Sequence, residues 1–199
     1  MKQTAATILP AETGEFPPQG NWTYEDYRRL PDDGRRYEVI RGVLYVSPAP
    51  SWKHQAGLRN LSFLVGRFLE EHPIGTYAFA PLDVTLPGGV ATPVQPDLIF
   101  LVNERRHLIQ EDGVNGAPDL IAEILSPSNR HVDRGTKLEA YAEAGVREYW
   151  LADPIERVIE VWVLRKVAYQ LLGAFRSGEH VRSEVLPGFE PPVDRILAE

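Results

Sequence analysis

The sequence predicts an α/β (α+β) fold: a mixed central β-sheet flanked by helices, in the order α-β-β-β-α-β, with extra β-hairpins at both ends. Three observations predict it. Leu58, Leu61, Leu64, Val65, Phe68 and Leu69 recur at helical spacing between about His54 and Glu70. The runs DLIFLV (97–102) and DLIAEILS (119–126) are nearly continuous apolar stretches, as in strands covered on both faces. A helix at roughly 133–144 and a strand, REYWLADP (147–154), follow the second run, so that 119–126, helix and 147–154 can form one right-handed crossover.

The elements follow in order. Residues 1–20 carry Pro10, Gly14, Pro17-Pro18 and Gly20 and read as a flexible tail, leaving 21–199 as a single domain. WTYEDYRRLP (22–31) predicts a short helix with Thr23 as N-cap and Asp26 completing a capping box. YEVIRGVLYV (37–46) is two β-rich quartets split by Arg41-Gly42, a hairpin, which SPAPS (47–51) ends. After the helix at 54–70, TYAFAPLDVTLP (76–87) predicts a strand and GGVATP (88–93) a turn. NERRHLIQEDGVNGAP (103–118) is a polar connection, and Gly145 caps the helix at 133–144. Short strands are expected at 158–164, 168–173 and 180–186.

Composition narrows the class. The chain has 199 residues, 43% of them apolar and 25% charged, ordinary for a soluble globular protein. No run of apolar residues has the length of a membrane span, and the first twenty residues lack the apolar core of a secretory signal. Cysteine is absent, which removes disulfides, thiolate metal sites and cysteine nucleophiles; a reducing, cytoplasmic location is the expectation. The net charge of −7 argues against strong non-specific nucleic-acid binding by the whole surface, though a local basic groove remains open.

Two carboxylates carry the chemistry. Asp97 opens an apolar strand, where it either ends a turn or faces a site. Glu123 sits in the middle of DLIAEILS with Ile121 and Leu125 on its own face. A carboxylate there is costly unless it joins an ion pair or binds a metal. Neighbouring strands lie about 4.8 Å apart, so carboxylates on adjacent strands can share one cation. Mg²⁺ takes hard oxygen ligands and can activate water against a phosphodiester. A nearby ammonium would stabilise the developing charge. The position two residues after Glu123 is Leu125, so the candidate is Lys137 in the first turn of the next helix, whose plain alternative is a surface pair with Asp133.

The run PDLIF and then APDLIAEILSPSNRHVDRGTKLEAYAEAGVREYWLADP, together with RRYEVIRGVLYVSPAPSWKHQ upstream and LPGFEPPVDRIL near the end, resembles the Uma family of restriction endonucleases. That family lies within the PD-(D/E)XK nuclease superfamily, and the similarity spans roughly 22–197. The resemblance implies a restriction-endonuclease-like core and a Mg²⁺- or Mn²⁺-dependent endonuclease acting on nucleic acid, most naturally DNA, as a homodimer. It implies Asp97 and Glu123 as metal ligands, Glu38 as a third, direct or through water, and Lys137 as a catalytic lysine moved from strand to helix. Leu125 departs from the superfamily's usual lysine and agrees with this family.

Other positions have weaker claims. His54 precedes the long helix and could contact phosphate, or could pack. Tyr141, one turn after Lys137, could fix the lysine rotamer, and Asp133 could position Lys137 or cap its helix. Asp83 is a possible further acid, and Arg105, Arg106 and His107 form a small basic patch. Ser126 and Ser128 read as turn residues. Two competing classes stand beside the nuclease: a catalytically silent interaction module of the same fold, and a structural ion-pair network in an unrelated α/β protein. The latter would leave Lys137 in solvent, bonded only to Asp133.

Overall fold

A computed structural model describes residues 16–199. The expected tail at 1–20 therefore falls mostly outside the described residues. Its last part is held: Phe16 stacks on Trp22 at 5.3 Å, and the Gly20 N–H donates to Gly42 O at 2.7 Å.

Thr23 caps α1 (Tyr24–Tyr27), and the reciprocal Thr23–Asp26 capping box is formed. Strands β1 (Arg36–Ile40) and β2 (Val43–Ser47) make an antiparallel hairpin. Arg41 and Gly42 turn it with φ of 50° and 71°, the left-handed pair that two-residue hairpin loops require. A Cβ on Gly42 would meet Gly20 O at 2.3 Å, so only glycine fits there. Arg41 ties the turn to a distant helix through Glu139 and Glu143. The hairpin alternates strictly. Tyr37, Val39, Leu44 and Val46 pack on Trp22, which leaves Arg36, Glu38 and Ile40 on the opposite face.

Ser51 caps the twenty-residue α2 (Trp52–Glu71). Its periodic leucines meet the sheet as the spacing predicts. The expected single strand at 76–87 is two, β3 (Gly75–Phe79) and β4 (Val84–Thr85), because Pro81 has no N–H to give a ladder. Then come β5 (Leu98–Val102), β6 (Ile109–Gln110), β7 (Gly113–Asn115) and β8 (Leu120–Ile124). A π-helical segment, Val132–Lys137, runs directly into α3 (Leu138–Ala144), and Gly145 ends it in the left-handed conformation. Strands β9 (Glu148–Asp153), β10 (Val158–Arg165) and β11 (Ala168–Arg176) and a final turn, α4 (Val193–Ile196), complete the chain.

The central sheet has six strands in the order β11-β10-β9-β8-β5-β3. It is mixed: β8 and β9 are parallel, as the crossover reading requires, and the other neighbours are antiparallel. One face packs on α2 and the C-terminal segment, through Leu61, Trp150 and Phe189. The other packs on α3 and the small sheet β4-β7-β6, through Ile121, Tyr141 and Tyr149. This is the mixed α+β architecture that the sequence predicts.

The expected strand at 180–186 does not form. Its backbone serves a side chain instead: the Glu184 and Val185 N–H groups donate to Glu148 Oε2 at 2.7 and 3.2 Å, and Ser183 Oγ reaches Glu148 Oε1 at 2.6 Å. Among the described residues no helix is long and apolar enough to cross a membrane.

Candidate active site

The site gathers at one end of β5 and β8. Leu98 pairs with Ala122 and Ile99 with Ile121, so the same register one step on sets Asp97 opposite Glu123. The two carboxylates therefore share a face. The Ile124 N–H donates to Asp97 Oδ2 at 2.8 Å, and the Asp97 N–H lies 3.4 Å from Glu123 Oε2. Glu38 arrives from the hairpin, which the segment before β5 fastens: the Val39 N–H donates to Pro93 O at 2.8 Å and the Gln95 N–H to Glu38 Oε1 at 2.8 Å.

Lys137 comes from the opposite side. Asp133, Lys137 and Tyr141 are spaced by four and form one inward stripe of the helical segment. The wide π turn carries that stripe onto the sheet, a geometry that recurs at functional positions. Lys137 is 2% exposed, so the surface-pair alternative does not hold. Its Nζ lies 2.9 Å from Glu123 Oε1, 3.0 Å from Glu38 Oε1 and 3.5 Å from Asp133 Oδ1. Tyr141 touches Glu123 itself: its hydroxyl donates to Oε1 at 2.9 Å. The structural-network alternative required a solvent-facing Lys137, and the geometry excludes it.

Two further basic side chains meet Asp97. His54 Nε2 lies 3.0 Å from Oδ2, while His54 Nδ1 has no partner among the described residues. Arg36 NH1 lies 2.9 Å from Oδ1. The sequence reading missed Arg36. The signal was available: Arg36 and Glu38 are two apart in a strand whose alternate residues, Tyr37 and Val39, are core, so both project the same way.

The balance of charge sets the electrostatics. Glu38, Asp97, Glu123 and Asp133 are buried carboxylates. The fixed cations against them are Lys137 and Arg36, with His54 adding a charge when protonated. Burial pushes the Glu123 carboxyl up to about 7; the Lys137 ammonium pulls it back and the charges of Asp97 and Glu38 push further. Burial likewise raises Asp133, against the pull of Lys137 and with the push of Glu123. Asp97 goes the other way. Burial would raise it, but the bond and charge of His54, the charge of Arg36 and the Ile124 N–H hold it well below the usual range. Burial alone would lower Lys137; Glu123, Glu38 and Asp133 keep its ammonium firmly charged. Burial, then Glu123, hold the Tyr141 hydroxyl protonated, which keeps it a donor to Glu123.

The donor set suits a hard divalent cation: carboxylate oxygens, crowded and in excess over fixed positive charge. Mg²⁺ commonly takes only one or two carboxylates with waters for the rest, and Asp97 with Glu123 supply that number. Among the described residues no three acidic or histidine side chains form a ready-made cage, because their oxygens are turned to Lys137, Arg36 and His54.

A cavity of about 700 Å³ lies above this cluster. It is lined by Arg28, Arg35 and Arg36, by His54 and Gln95, and by the Ser126–Asn129 turn. Asp97, Glu123 and Lys137 do not reach it; Arg36 and His54 stand between. The remaining candidates lie elsewhere. Asp83 accepts from Tyr27 Oη at 2.9 Å and Gln95 Nε2 at 2.7 Å, outside the cluster. Arg105 is no phosphate ligand in waiting: it holds Asp119 and Ala117 O. Ser126 and Ser128 bond to each other at 2.9 Å in a turn.

Comparison with known proteins agrees with the fold. The Uma2 family model, described as "Putative restriction endonuclease", matches residues 24–196. The crystal structure of "a putative nuclease belonging to DUF820" from Anabaena variabilis superposes with a TM-score of 0.73. It is 19% identical, and the match covers 89% of this chain and 98% of that one. No curated protein matches the chain.

Proposed function

This chain belongs to the Uma2 family of restriction endonucleases, and from that premise we propose that it is a Mg²⁺- or Mn²⁺-dependent endonuclease hydrolysing phosphodiester bonds in nucleic acid, DNA first. The observation that supports this most is the cross-strand pair of Asp97 and Glu123 with the Lys137 ammonium 2.9 Å from Glu123 in a pocket short of positive charge. Asp97 and Glu123 are the metal ligands in this reading, and Glu38 is a third, direct or through water. The bound ion supplies a Lewis acid that lowers the pKa of water and offsets charge on the phosphate.

The chain's own groups do the rest. Lys137, held charged and fixed by three carboxylates, donates to the attacking water or to a phosphate oxygen as negative charge builds there. Tyr141 fixes Glu123 Oε1 and so leaves Oε2 as its ligating oxygen. His54 and the Ile124 N–H hold Asp97 ionised and oriented. Asp133 sets the Lys137 rotamer.

The test is Mn²⁺-dependent nicking of a supercoiled plasmid. Asp97→Ala, Glu123→Ala and Lys137→Ala should each lower cleavage by about 10²–10³-fold or more. Full cleavage by the Glu123 variant would remove the assigned site.

A second reading is a catalytically silent module that keeps the fold. The seal of Arg36 and His54 over the carboxylates favours it. Titration calorimetry separates the two, since no heat at millimolar Mn²⁺ supports the silent module. Cutting both strands of a duplex calls for two sites, so a homodimer is part of the leading reading. Edge strand β11, with Leu171 and Leu172 exposed, is the candidate face.

A further inference from the structure

The carboxylates are sealed, yet a substrate phosphate must reach them from the cavity. Of the two side chains between them, His54 and Arg36, the longer is Arg36. One guanidinium nitrogen lies 2.9 Å from Asp97 Oδ1, while the side chain keeps 21% of its surface open and lines the cavity. Among the described residues the other side-chain and backbone donors to Asp97 are fixed: Ile124 by its backbone, His54 by its place in the first turn of α2. Arg36 alone combines a long flexible stem with a route to open space.

The geometry points to Arg36 as a cation-controlled latch: its guanidinium holds Asp97 Oδ1 and, when a divalent cation takes that oxygen, turns into the cavity to grip a phosphate of the nucleic-acid strand. This rests on the metal-ligand reading of Asp97 and Glu123. Two positive groups compete for one oxygen, so binding of the ion and release of the guanidinium are linked. A released guanidinium in a polar cavity is suited to phosphate, which it can grip through two parallel N–H bonds. Arg28 and Arg35 line the same cavity and add to its attraction for a polyanion. Arg36 is a positioning residue for Asp97 in one state and a substrate contact in the other.

The experiment compares wild type with Arg36→Gln in two solutions. A fluorescein-labelled DNA oligonucleotide is titrated by anisotropy in Ca²⁺ and again in EDTA. The latch requires Arg36→Gln to weaken binding about tenfold in Ca²⁺ and hardly at all in EDTA, where Asp97 still engages the wild-type arginine. An equal loss in both solutions, or no loss in either, overturns it. Mn²⁺ titrated without nucleic acid should bind Arg36→Gln about three- to tenfold more tightly, the reciprocal of the same competition. Unchanged or weaker Mn²⁺ binding in a folded variant also overturns the latch.

Should Arg36→Gln not fold, the wild type decides. The Arg36 Nε–Hε resonance should move on Mg²⁺ titration, and a signal fixed at saturating Mg²⁺ overturns the proposal. A wild type that binds Mn²⁺ but no oligonucleotide defeats the nuclease reading, and the resonance shift then decides the competition by itself. A wild type that binds no divalent ion overturns both.

Discussion

The two ends of β8 each bury an acid, and they differ in how it is matched. Asp119, just before the strand, is fully enclosed. Its Oδ1 accepts from Arg105 at 3.3 Å and Arg147 at 3.2 Å, and its Oδ2 from the Val102 N–H at 2.9 Å. One carboxylate there meets two guanidinium groups that still reach solvent. At the far end, Glu123 shares one lysine with Glu38 and Asp133 and faces Asp97. The first end is closed chemistry: both oxygens have donors, and two guanidinium groups more than balance one negative charge. The second carries surplus negative charge, which burial makes expensive. Burial of an acid is thus a poor marker of function by itself, and the local surplus is the better one.

The comparison breaks most directly by neutralising each acid in turn. Asp119→Asn should cost about 2 kcal/mol in urea unfolding, because it removes the charge opposite two arginines and leaves one accepting oxygen for three donors. Glu123→Gln should leave stability at pH 8 unchanged or raise it by about 1 kcal/mol, since Lys137 keeps Glu38 and Asp133. A loss beyond about 2 kcal/mol for Glu123→Gln would put both ends in one class.

A smaller effect sharpens the contrast through pH. Glu123 holds its proton up to about pH 7 when folded, above the ordinary carboxylate value of 4.5. Between those two values the folded chain binds more protons than the unfolded one, so this group's contribution to stability falls as pH rises and is lost above about 7. A divalent ion must displace that proton. Mn²⁺ affinity should therefore climb about tenfold per pH unit up to about 7 and then level, with one proton released per ion. Calorimetry in two buffers of different ionisation enthalpy reads both quantities. A flat profile from pH 5 to 8 would show that Glu123 is not the ligand that titrates.

The smallest effect is at Tyr141. Tyr141→Phe removes one bond to Glu123 Oε1 and should slow plasmid cleavage by only about three- to tenfold, with a stability loss of about 1 kcal/mol. A loss as deep as that of Lys137→Ala would make the hydroxyl a direct participant instead of a support for Glu123.

Much of this was legible before any coordinates. The central sheet and its crossover followed from two apolar runs and one periodic helix. Glu123 stood out because an acid inside such a run needs a reason, and Asp97, at the opening of the other run, gained its weight from pairing with it. Glu38 came only by resemblance, since a hairpin gives no sign of what it docks against; the Val39–Pro93 and Gln95–Glu38 bonds that place it join residues more than fifty apart. Arg36 stayed hidden because an arginine opening a strand ordinarily points to water. The segment 180–186 misled for a different reason: its valines alternate plausibly, but its N–H groups are claimed by Glu148, a long-range demand that no local pattern records.

The wide turn at Val132–Lys137 has a last consequence. It fits one residue more than an ordinary helical turn would hold, and so fixes by angle which side chain meets the sheet. Deleting a single residue there would rewind the turn and swing Lys137 aside by about 100°, while leaving the hydrophobic layers intact. A lineage shedding its cutting activity could thus do so by a three-base deletion, and the silenced descendant would still carry every acid and the lysine in its sequence.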